Sequence, residues 1–178
     1  PMGMMAENRH VRAALYKALL ARENIRLHSG AKVVDHTGDE SSAEVTLTDG
    51  RTFKSKLLIA ADGRNSQIRK RAGIETTGWD YAQMGIVTTV SHERPHEGVA
   101  HELFLPAGPF AILPLPDDEQ GRSRSSIVWT DSARAAKAAK ALPDALFEAE
   151  LARRFGQHWG RVCVIAPRHI YPLGLQMA

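Results

Sequence analysis

Four stretches between Met84 and Thr130 most constrain how this chain can fold: MGIVTTVSH, VAHELFL, PFAILPL and RSSIVWT. Each favours a strand, and glycine, proline or a polar loop punctuates the runs. Such punctuated runs predict an antiparallel sheet with one buried face. Helical patterning follows at once. Ser132 opens the Ala/Lys-rich segment SARAAKAAKAL, Pro143 suits the first turn of a second helix, and Phe147, Leu151 and Phe155 share its inner face. Two short strands, in RVCVIA and IYPLGL, close the chain.

The first 75 or so residues have another character. NRHVRAALYKALLAR places Val11, Leu15, Ala18 and Leu19 on one face of an amphipathic helix, with Asn8 as its cap and Asn24 as its left-handed stop. IRLHSGAKVVDH alternates loosely, as one or two strands. EVTLTDGRTFKSK reads as a hairpin, with Asp49-Gly50 the dipeptide of a tight primed turn. Leu57–Ala61 is continuously apolar, as a strand covered on both faces would be. It runs into Asp62-Gly63, which places a carboxylate at the end of a sheet, where open α/β folds bind ligands. Asn65 or Ser66 caps the next helix, and Arg69 is in reach of Asp62 or of a phosphate. The same residues also read as a turn, a cap and a solvated basic helix. A domain boundary is expected near residues 76–83.

Composition narrows the partners. The net charge of +3 is dispersed except at Arg64–Arg71, which suits a local anion site and not a nucleic-acid groove. The single cysteine, Cys163, excludes an internal disulfide and reads as a small buried hydrophobe. No apolar run approaches the roughly 20 residues that span a bilayer, and the N-terminus carries no signal-peptide pattern. His92, His96 and His101 alternate with Glu93, Glu97 and Glu102, but Pro95 breaks any common helix face, so this segment is read as a polar loop with no metal.

Several segments, taken in order, carry a resemblance. IAADGRNSQIRKRAGI resembles the second cofactor motif, strand-DG-x-x-S-x-x-R, of the flavoprotein aromatic hydroxylases. AENRHVRAAL resembles the helix start preceding that motif in the branch acting on ubiquinone precursors. HELFLPAGPFAILPL with SSIVWT resembles that branch's substrate-domain sheet, and IYPLGLQMA the approach to its third motif. The resemblance covers nearly the whole chain. It departs from the family in having neither the GxGxxG turn that the family carries near its N-terminus nor the Gly-Asp motif that it carries near its C-terminus, and Ala60 stands where glycine is common.

The resemblance implies an α+β, α/β fragment of a longer chain. Residues 1–78 would form a partial Rossmann-like FAD-binding domain, and residues 79–178 an antiparallel substrate-binding domain covered by helices. FAD would meet Asn8, Arg12, the backbone at Val33, Asp62, Gly63, Ser66 and Arg69. Gly108, Pro109, Phe110, Ile112 and Pro114 would line the substrate cavity, with Phe110 and Ile112 as apolar walls. The implied reaction is NAD(P)H-driven hydroxylation, with O2, of a prenylated phenolic ubiquinone precursor, in a water-excluding pocket. No residue stands out as a catalytic base. The setting implied is cytoplasmic, peripheral at the inner face of the membrane, with room for a complex with other quinone-biosynthesis enzymes. The fragment alone is expected to bind FAD weakly and not to hydroxylate. The alternatives are a hydroxylase of small soluble aromatics, a related flavin oxidoreductase, or a non-catalytic α+β binding domain.

Overall fold

The computed structural model describes residues 3–178. They divide into two compact units. The larger holds the residues up to Val11 with Trp79–Leu175, and the smaller holds Arg12–Gly78 with Gln176–Ala178.

The smaller unit is built on a three-stranded antiparallel sheet of β1 (Val33–Gly38), β2 (Ala43–Leu47) and β3 (Thr52–Ser55). Only β1 forms from the loosely alternating stretch, and its pairing with β2 slips at a bulge between Val33 and Asp35. The β2–β3 hairpin forms, but not with a primed turn. Leu47 carbonyl accepts from Gly50, Arg51 carbonyl accepts from Leu47, and Gly50 alone is left-handed, at φ 83°. Asp49 keeps a negative φ because its carboxylate is engaged by the Arg51 amide and guanidinium. A right-handed turn followed by a glycine bulge results.

The helix α1 (Asn8–Leu20) forms as its periodicity predicts. Its first turn is closed by the Glu7 carbonyl, which accepts from His10 and Val11. Asn24 is not left-handed. The apolar face of α1 is not buried: Val11, Leu15 and Leu19 are all exposed. Leu57–Ala61 is a second departure. It takes no regular structure, and Leu57 and Ile59 are 71% and 77% exposed. A strand buried on both faces needs a neighbour on each side. Among the described residues no strand pairs with this one.

The larger unit is a six-stranded sheet comprising β4 (Thr77–His92), β5 (His101–Leu105), β6 (Gly108–Leu115), β7 (Ser123–Ser132), β8 (Val162–Val164) and β9 (His169–Met177). Its order is β5-β6-β7-β4-β8, with β9 also on β4, and the mapped ladders are antiparallel. β4 and β7 pair over ten positions, from Gln83↔Ser132 to His92↔Ser123. Alternation sends Ile86, Thr88, Val90 and His92 to the buried face. Two helices cover that face, α3 (Ala133–Ala141) and α4 (Asp144–Phe155). Ser132 caps α3 by accepting from the Ala135 amide at 3.2 Å. From α4, Phe147, Leu151 and Phe155 meet Phe110, Ile112, Ile127 and Trp129 of the sheet. Each such side chain contributes roughly 1.5–3 kcal/mol by leaving water. Cys163 is half-buried on β8, not a core residue.

Candidate functional site

The acidic turn folds differently from a sheet-end carboxylate. Gly63 adopts φ 85°, and a Cβ there would meet no atom within 4 Å, so this backbone lies open to close approach. Ser66 caps the short helix α2 (Gln67–Arg71), accepting from the Arg69 amide at 3.0 Å. Asp62 accepts from the Gln67 amide at 3.0 Å. The Ser66 hydroxyl first, and then the amides of Asp62, Ile68 and Gln67, hold the Asp62 carboxyl below the usual carboxylate range. Asp62 therefore serves the start of its own helix, and the first-turn amides are already engaged. Arg69 does not hold Asp62; its Nη2 donates to the Arg64 carbonyl at 2.9 Å.

Gly63, Ser66 and Arg69 do come together. They line a cavity of about 580 Å³ with His36, Lys56, Leu58 and Ile68. Two atoms on its lining residues, Arg69 Nε and His36 Nδ1, are buried without a hydrogen-bond partner. An unmet guanidinium N–H beside a lysine is suited to an anionic oxygen, so the donor set fits a phosphate-bearing cofactor. The other expected cofactor residues lie elsewhere. Asn8 and Arg12 are exposed on α1, Val33 is half-buried at the start of β1, and none of them nor Asp62 lines this cavity.

On β6 the expectation is half corrected. Phe110 and Ile112 are 0% and 2% exposed, packed beneath α3 and α4, so they are core side chains and not cavity walls. The pleat points them one way and Ala111 and Leu113 the other. Gly108, Pro109, Ala111, Leu113 and Pro114 are half-buried.

The histidine segment is not a loop throughout. His92 ends β4 and His101 begins β5, leaving only His96 between them. His92 Nδ1 donates to the Arg94 carbonyl at 2.7 Å, which leaves Nε2 to accept from Ser125 Oγ at 3.0 Å. Trp159 packs against the rings of both His92 and His101 at 5.2 Å. Burial lowers the His92 pKa; the Arg94 carbonyl opposes this, His96 adds to it, and Asp117 opposes it. The even-numbered alternation from Ile86 was the signal that could have placed His92 inside. No group of three metal-ligating side chains occurs among the described residues.

The family model described as "FAD binding domain" matches residues 4–170. The chain belongs to the FAD-binding domain family. This FAD-binding domain chain is 46% identical over 178 residues to ubiquinone hydroxylase UbiL of Rhodospirillum rubrum, covering 100% of this chain and 40% of that protein. It is 40% identical over 141 residues to the mitochondrial ubiquinone biosynthesis monooxygenase COQ6 of Rattus norvegicus, covering 74% of this chain and 29% of that one. It thus spans well under half the length of either relative. Among solved structures, p-nitrophenol 4-monooxygenase PnpA of Pseudomonas putida superposes with a TM-score of 0.66 at 18% identity, over 94% of this chain and 42% of that one. That likeness establishes the α+β fold. FAD is the cofactor named for the family, and no helix among the described residues is long and apolar enough to cross a membrane.

Proposed function

We propose that this chain is part of an FAD-dependent monooxygenase that hydroxylates a prenylated phenolic precursor of ubiquinone, with NAD(P)H as electron donor. The observation that carries this reading is 46% identity along the entire chain to a ubiquinone hydroxylase. Residues 1–78 belong to the cofactor side and residues 79–178 to the substrate side. When bound, FAD supplies the oxygen-activating and electron-transfer chemistry.

The protein's own part is binding, orientation and exclusion of water. Arg69 and Lys56 offer positive charge to the cofactor's phosphates, and the open backbone at Gly63 lets it approach closely. Asp62 with Ser66 fixes the turn. On the substrate side, Pro109, Ala111 and Leu113 form the face of β6 opposite the core, a nearly uncharged wall for an aromatic ring. Pro109 on that face and Pro114 on the other stiffen the strand. The prenyl tail places the protein at the inner face of the cytoplasmic membrane, beside other quinone-biosynthesis enzymes.

The test uses protein expressed from its full reading frame. FAD is titrated by flavin fluorescence quenching, with Arg69→Ala alongside, and NAD(P)H oxidation is then followed with prenylated and unprenylated phenols. Arg69→Ala is expected to weaken FAD at least tenfold, and the prenylated phenol to yield hydroxylated product. FAD-loaded protein that oxidises NAD(P)H indifferently to every phenol, without product, refutes the proposal.

A further inference from the structure

The turn joining β5 to β6 overhangs its sheet. The β6–β7 ladder ends at Phe110↔Trp129, whereas β5 and β6 continue to the closing pair Leu105↔Gly108. Pro106 and Pro109 flank Ala107-Gly108 and have no N–H to offer. One side-chain hydrogen bond reaches this overhang from another strand. Gln83, opposite Ser132 at the end of the β4–β7 ladder, donates its Nε2 to the Ala107 carbonyl at 2.8 Å. No other side-chain hydrogen bond holds the turn among the described residues.

The fit around that bond is close. Gly108 adopts φ 144°, and a Cβ there would stand 2.7 Å from Thr130 Cγ2 and 3.2 Å from the same Gln83 nitrogen. Glycine is therefore needed twice, for its backbone angle and for its missing side chain. Thr130 on β7 and Gln83 on β4 form a seat in which the turn rests at one height.

We propose that Gln83 is a positioning residue: through the Ala107 carbonyl it sets the height of the Pro106–Gly108 turn, and so the seat of the substrate ring at the head of β6. This deepens the substrate-side reading above and rests on it. Gln83 touches neither cofactor nor reacting atoms. It acts by holding the first residues of the wall, and small displacements of such a wall are costly to reaction geometry.

The test again uses protein from the full reading frame, loaded with FAD. Gln83→Met keeps the length and removes the donor; Gln83→Glu keeps the shape and sets an acceptor against the carbonyl. Four quantities are read: hydrogen exchange in peptides covering 103–110, FAD affinity, KM for the phenol, and product formed per NAD(P)H consumed. Expected are faster exchange confined to that turn, unchanged FAD affinity, and a KM raised about threefold to tenfold, the factor that one hydrogen bond sets. Fewer products per NAD(P)H are also expected, and Glu should be worse than Met. KM and product ratio at wild-type values in both variants overturn the proposal, as does a changed KM with unaltered exchange at the turn. Wild-type enzyme that binds FAD but hydroxylates no phenol instead sinks the underlying functional reading, and this inference falls with it.

Discussion

Replacing Phe147 by alanine tests the account of the larger unit most directly. Its ring is 1% exposed, lies 5.9 Å from that of Trp129, and carries the Arg168 guanidinium at 4.6 Å over its face. Arg168 is held there by donating to the Leu142 carbonyl at 2.8 Å and pairing with Asp144, so the neighbours cannot simply collapse into the space. Truncating a buried phenylalanine to alanine costs about 3–5 kcal/mol, and losing the partly desolvated cation contact belongs within that range. Against a typical total of about 5–15 kcal/mol, this is a large fraction. With a urea slope of about 2 kcal/mol/M, the midpoint falls by about 2 M. All three tryptophans, Trp79, Trp129 and Trp159, lie in the sheet unit, so urea unfolding followed by fluorescence reads that unit. Phe147→Leu, close to volume-conserving, should lower the midpoint by well under 1 M. An alanine variant whose midpoint falls by less than about 0.5 M would refute the packing argument.

Two further expectations concern titratable groups. The folded pKa of His92 lies below its ordinary 6.5, so the unfolded chain takes the proton first. The stability it contributes is present above about pH 6.5, and is lost as pH falls from there towards the folded value. Melting temperatures measured from about pH 8 to 5 should therefore drop on the acid side, and His92→Gln should flatten that drop; an unchanged profile contradicts the burial argument. At the acidic turn, Ser66→Ala should cost about 1 kcal/mol through loss of the cap. It should also raise the Asp62 pKa back towards 3.8, since Ser66 is the largest cause of its depression. Carboxyl carbon NMR reads this, and a pKa that stays put shows the backbone amides suffice.

Where a signal was local, the sequence carried it. Alternation and proline punctuation gave β5 to β7 and β4 from Met84 onward, though not its first residues from Thr77, and a serine before an alanine run gave α3 with its cap. Spacing of Phe147, Leu151 and Phe155 gave the inner face of α4. What failed needed information from distant residues. Leu57–Ala61 is apolar enough for a central strand, but a strand exists only if partners arrive. Phe110 and Ile112 are equally apolar whether they face helices or a substrate, and only the covering by α3 and α4 decides the face. The bond from Gln83 to Ala107 joins residues 24 positions apart, and nothing in either neighbourhood announces it. Arg69 was legible as a cation near the turn, but not as one whose Nε is left without a partner.

The strand order has a temporal consequence. β4 is bonded to β7 on one side and to β8 on the other, and β8 begins only at Val162, whereas β4 ends at His92. At ribosomal speeds of about 5–20 residues per second, one flank of β4 therefore waits several seconds for its partner to be synthesised. During that interval a long, β-branched strand stands open to any passing neighbour, and this is when a nascent copy is most exposed to aggregation and most in need of a chaperone.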